Sequence, residues 1–121
     1  MEDLKLGAVE EKFAELLWAH EPLTSRELAE LCRGELNWKR PTTYTVLRKL
    51  CEKGIFQNVN GTVSSRSSRG DFLAMRGERF VSESYGGSLP AFVAAFMSRK
   101  ALSDEEAEEI QRMIDKYRQG Q

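Results

Sequence analysis

The stretch Asn37 to Gly54, NWKRPTTYTVLRKLCEKG, concentrates the side chains best suited to recognition chemistry. It holds five cations and one acid, with three threonines and a tyrosine between them. Val46, Leu47 and Leu50 recur at helical spacing, so the segment reads as a helix with one buried face. With Thr43, Val46, Leu47 and Leu50 turned inward, the outward set is Arg40, Thr42, Tyr44, Thr45, Arg48, Lys49 and Glu52. Arginine donates two hydrogen bonds to a guanine edge. Threonine offers a hydroxyl to phosphate or base and a methyl to thymine. An α-helix fits the major groove of B-form DNA, and Lys39 and Arg40 precede its N-terminal end, where the helix dipole attracts phosphate. The expected nucleic-acid contacts are therefore Lys39, Arg40, Thr42, Tyr44, Thr45, Arg48 and Lys49. Tyr44 has packing as a competing role.

The surrounding charge supports this surface. The 121 residues sum to a net charge of −1, yet residues 39 to 69 hold seven cations against one acid. The flanking segments are acidic, and a local field steers ligands more than a total does. A solvated face with no ligand is the plain alternative.

The elements that must position the helix follow from caps and periodicity. Val9, Phe13, Leu16 and Leu17 predict a first helix over Ala8 to Ala19, closed by Trp18 and broken before Pro22. Thr24 and Glu27 form a capping box for a second helix carrying Leu28, Ala29, Leu31 and Cys32, with Gly34 as its stop. Pro41 suits the first turn of the third helix, and Gly54 its end. Two strand-like runs, IFQNV and TVSSRS, joined by Asn60-Gly61, predict a hairpin. Helix, helix, helix, hairpin is a helix-turn-helix with a wing. Asn60 and Arg66 of the wing are added to the expected contacts, and Asn58, Ser64, Ser65 and Arg69 suit phosphate.

Beyond the hairpin, Gly70 and Gly77 predict a linker, with Phe72 and Leu73 tucked into a core. Phe80, Val81 and Tyr85 suggest a fourth helix stopped by Gly86-Gly87. Ser88 and Pro90 start a fifth, and Ser103 with Glu106 caps a sixth. The expected class is mainly α with a small β-hairpin: a winged helix-turn-helix over 1–70 and a helical dimerisation region over 71–121. Phe80, Leu89, Phe92, Val93, Phe96, Ile110, Met113, Ile114 and Tyr117 are its apolar faces. A single stripe needs a partner surface, most commonly a second copy of itself.

Other classes find little footing. No apolar run approaches the roughly 20 residues of a membrane span, and no signal-peptide region opens the chain, so a cytoplasmic protein without membrane insertion is expected. His20 has no nucleophile spaced around it. No phosphate loop or metal-ligand cluster is present, so neither enzyme activity nor any metal or other cofactor is expected. Two alternatives stay open: a winged helix that binds an acidic protein partner, and a thiol sensor using Cys32 or Cys51.

The ordered set LLW, LTSRELAE, then Trp38, Thr42, Thr45, Leu47, Lys49, Leu50, Lys53 and Gly54, then GSLPAFVAAF and LS.EE, resembles the BlaI/MecI/CopY, or penicillinase-repressor, family of bacterial transcription repressors. The resemblance covers nearly the whole chain. It implies a homodimer that represses by binding a palindromic operator in double-stranded DNA, with the C-terminal helices forming the dimer. It also implies a membrane sensor protease as a further partner, cutting at Ala95–Phe96, where members controlled by β-lactam sensing carry Asn-Phe. The C-terminal cysteine cluster of copper-responsive members is absent, and the wing is unusually rich in serine.

Overall fold

The computed structural model describes residues 4–120. Among them the order is α1 (Ala8–His20), β1 (Leu23–Thr24), α2 (Ser25–Leu36), α3 (Arg40–Glu52), β2 (Phe56–Val59), β3 (Thr62–Ser65), α4 (Arg69–Ser84), α5 (Leu89–Arg99) and α6 (Asp104–Gln119). The architecture is a winged helix followed by a helical C-terminal region. The chain divides into two compact units, residues up to Glu78 and residues from Arg79, so α4 begins in the first and ends in the second.

The first unit is built on one core. Phe13 and Leu17 of α1, Leu28 and Cys32 of α2, Leu47 and Leu50 of α3, Ile55 just before the sheet, Phe56 and Val63 within it and Phe72 of α4 are buried together. Burying each large apolar side chain contributes about 1.5–3 kcal/mol. The three strands run antiparallel in the order β1-β3-β2, with Leu23 opposite Val63 and Asn58 opposite Val63 on the other side. The wing turn has Asn60 at φ 53° and Gly61 at φ 87°, the left-handed pair that a tight hairpin demands.

Local signals set most helix ends. Thr24 Oγ1 accepts from the Glu27 amide at 3.0 Å while Glu27 accepts from the Thr24 amide at 2.9 Å. Pro41 lies in the first turn of α3, and Gly54 at φ 83° follows its last turn. Three expectations are corrected. α2 does not stop at Gly34. It runs on to Leu36, which packs against the core, and the left-handed residue that ends it is Asn37 at φ 56°. The expected linker around Gly70 and Gly77 is helix from Arg69 onward. Phe72 is buried and Met75 packs beside the core, while a Cβ at either glycine would meet nothing. Burial of that stripe outweighs the roughly 1 kcal/mol that each helical glycine costs. Leu73, expected inside, is exposed.

The second unit carries its own aromatic cluster. Phe80, Tyr85 and Phe92 meet edge-on with ring centroids 5.5–5.9 Å apart. Gly86 and Gly87, both at positive φ, separate α4 from α5. Ser88 caps α5, and the Ser103–Glu106 box caps α6. Neither α5 nor α6 buries a residue completely. Leu89, Val93, Phe96 and Met97 of α5 and Ile110, Met113, Ile114 and Tyr117 of α6 are exposed, Tyr117 at 70%.

Candidate nucleic-acid interface

The third helix is oriented by its threonines and leucines. Thr43, Leu47 and Leu50 are buried and Val46 is half-buried, so Arg40, Thr42, Tyr44, Thr45, Arg48, Lys49 and Glu52 all face solvent. Thr45 Oγ1 donates to the Pro41 carbonyl at 2.8 Å, which leaves its lone pairs and methyl for a ligand. The N-cap is Lys39, which supplies no side-chain cap, and the first turn holds no acid. That helix end therefore presents an uncompensated positive pole beside Lys39 and Arg40.

The cationic block resolves into two groups. Lys53 Nζ donates to the Lys5 carbonyl at 2.8 Å and lies 3.5 Å from Glu10 Oε1. Arg69 Nε pairs with Glu15 Oε1 at 2.6 Å. These two fasten the fold. Among the described residues Lys39, Arg40, Arg48, Lys49 and Arg66 have no carboxylate within ion-pair distance. Five cations thus remain on α3, its approach and the wing.

The serines of the wing serve the wing itself. Asn58 Oδ1 accepts from the Gly61 amide at 3.0 Å, and its amide group reaches Ser25 Oγ at 3.4 Å. Gln57 Nε2 donates to Ser64 Oγ at 3.3 Å. Ser65 donates its amide and its hydroxyl to the two carboxylate oxygens of Glu21, at 2.7 and 2.9 Å. Of the short polar groups expected to meet phosphate, Asn58, Ser64 and Ser65 are engaged internally. Asn60 at the tip and Arg66 at the base are exposed. Glu21, Ser25 and the strand β1 were invisible to sequence reasoning, because their partners lie 33 to 44 residues away.

The thiols sit apart from this surface. Burial pushes the Cys32 thiol above its ordinary pKa, an effect that an interaction with Thr43 partly opposes. Cys51 is also raised, by burial first and then by the charge of Glu52. Neither is poised as a thiolate. His20 Nδ1 lies 2.9 Å from the Leu16 carbonyl at the exposed end of α1. In the second unit, Ala95 is half-buried and Phe96 exposed in α5.

A helix-turn-helix braced by a three-stranded wing, continued into helices with exposed apolar faces, defines the class. Residues 6–116 match the penicillinase repressor family, and the chain belongs to it. That family is one of transcriptional repressors. The chain is 21% identical over 118 residues to a penicillinase repressor of Bacillus licheniformis, spanning 94% of this chain and 92% of the relative. It is 20% identical over 116 residues to the methicillin resistance regulatory protein MecI of Staphylococcus aureus (strain Mu50 / ATCC 700699), spanning 93% and 94%.

Proposed function

We propose that this transcriptional repressor works as a homodimer that sets α3 and the wing of each copy into double-stranded DNA at a palindromic operator in the cytoplasm. The observation that carries the reading is the outward face of α3. Among the described residues Arg40, Arg48 and Lys49 have no carboxylate partners there, and they stand beside exposed Thr42, Thr45 and Tyr44 and an uncapped helix N-terminus. Thr42, Thr45, Arg48 and Lys49 meet base edges and groove walls; Lys39, Arg40, Asn60 and Arg66 meet phosphates. The second copy covers the exposed stripes of α5 and α6. Two-fold symmetry then puts the paired α3 helices one turn of DNA apart, and the second contact becomes intramolecular. Occupying a promoter dyad blocks polymerase sterically. Release follows from loss of pairing, by a membrane sensor protease acting at Ala95–Phe96 or by another signal.

Fluorescence anisotropy against the promoter region of the chain's own gene tests this. Lys39→Ala is expected to weaken every sequence alike and to lower the salt slope by about one unit per contact. Arg48→Ala costs about 1–3 kcal/mol and relaxes the preference at one base position. Equal affinity for promoter and random duplex would remove the reading.

A further inference from the structure

The residue that presents Arg66 is held in place from three directions. On its N-terminal side, Ser65 gives its amide to Glu21 Oε1 at 2.7 Å and its hydroxyl to Glu21 Oε2 at 2.9 Å. The Arg66 amide itself donates to the Ile55 carbonyl at 2.7 Å. On its C-terminal side, the Ser67 carbonyl accepts from the Trp18 indole N–H at 3.0 Å. Trp18 is wedged between Phe56 and Phe72, with ring centroids 5.3 and 5.4 Å away. Three successive residues are thus tied to α1, the segment after it and the core, while the Arg66 side chain alone is exposed. Glu21 contributes a carboxylate to this clamp, and it is partly buried. Both its oxygens accept hydrogen bonds from Ser65, one from the backbone amide and one from the hydroxyl, so the carboxylate ties the base of the wing to the segment after α1.

The geometry points to Glu21 as a positioning residue for DNA binding: its bidentate grip on Ser65 fixes the base of the wing so that Arg66 is presented to a phosphate without further ordering. This rests on the reading of Arg66 as a phosphate contact. An arginine on a free strand end would lose side-chain and backbone freedom on binding, and the clamp removes the backbone part of that cost beforehand. Glu21 touches no ligand; its effect passes through Arg66.

The experiment is a double-mutant cycle on the full chain, read by affinity for the operator duplex and by its dependence on salt. Arg66→Ala is expected to lower the salt slope by about two units for a pair of copies. Glu21→Ala weakens binding about threefold and lowers the slope in the same direction, and in the Arg66→Ala background it changes affinity by less than about 1.5-fold. Glu21→Gln keeps an acceptor for the Ser65 amide and an amide group that can donate to its hydroxyl oxygen, and it removes a negative charge; it holds affinity at or above the wild-type level, with the wild-type slope. Ser65→Ala keeps the backbone bond and removes the hydroxyl one, giving the same pattern at reduced size, and it takes the place of Glu21→Ala should that variant not fold. A loss of equal size in both backgrounds with the slope unchanged would overturn the positioning role. An Arg66→Ala variant with wild-type affinity and slope would instead overturn the contact beneath it.

Discussion

Two adjacent positions in α3, Thr42 and Thr43, carry the same side chain and face different surroundings, and replacing threonine by valine there separates core from interface. Thr43 is wholly buried, and its hydroxyl oxygen has no hydrogen-bond partner among the described residues. Its polar influence falls on the Cys32 thiol, whose pKa it lowers against the larger effect of burial. A buried unpaired hydroxyl costs about 1–3 kcal/mol, and an apolar group of the same shape removes that cost. Threonine and valine have nearly equal helix propensities, so the backbone term cancels. Thr43→Val is therefore expected to stabilise the fold by about 1 kcal/mol, raising the melting temperature by about 4–8 °C for a unit of this size. Operator affinity should stay within about twofold. Thr42→Val, at an exposed position, should leave stability within about 0.5 kcal/mol and weaken binding by about thirtyfold through one hydrogen bond lost in each of the two copies. Urea melts and anisotropy titrations of both variants decide the matter. If Thr43→Val destabilises by 1 kcal/mol or so, the hydroxyl is bonded in solution. If it weakens binding as much as Thr42→Val does, the orientation assigned to α3 is wrong.

Other expectations follow from the same structure. Gly77→Ala, in a helix where a Cβ meets nothing, should stabilise the chain by about 0.5–1 kcal/mol in thermal melts; no gain would mean that α4 is not helical there. Ile114→Asp puts a charge on an apolar stripe that is 46% exposed at that position; sedimentation equilibrium should show single chains, and operator affinity should fall about 100-fold. The Glu15 carboxyl is held below its ordinary pKa of 4.5, chiefly by the hydrogen bond from Arg69. A depressed carboxylate stabilises the fold fully above its unfolded pKa, and the gain is lost as pH falls through the folded value. Glu15→Gln should therefore lower the urea midpoint at neutral pH slightly and converge with wild type under strong acid, since both side chains are about half exposed and water screens the pair.

The parts of the fold written in local sequence were legible beforehand. Pro41 and Gly54 bracket α3, Thr24 with Glu27 opens α2, Asn60-Gly61 turns the wing, and Ser103 with Glu106 starts α6. What stayed hidden depends on partners distant in the chain. The start of α4 read as linker because two glycines argue locally against helix, whereas Phe72 is buried against Trp18 from the first helix. β1 is two residues long and exists through pairing with Val63 and Thr62. The cationic block likewise looked uniform in sequence. Only the packing shows that Lys53 and Arg69 are spent on Glu10 and Glu15, leaving the cations of α3, its approach and Arg66 without carboxylates among the described residues.

The central claim is that two copies of the chain grip one duplex through these cations. Titrating purified chain against a duplex from its own promoter, in a sedimentation experiment that reads stoichiometry at several salt concentrations, tests it most directly. Two chains per duplex and selectivity over random competitor are expected. Affinity should fall with salt at a slope no steeper than about −9, the limit set by about ten such cations in a pair of copies. One chain per duplex, or binding indifferent to both sequence and salt, would contradict it.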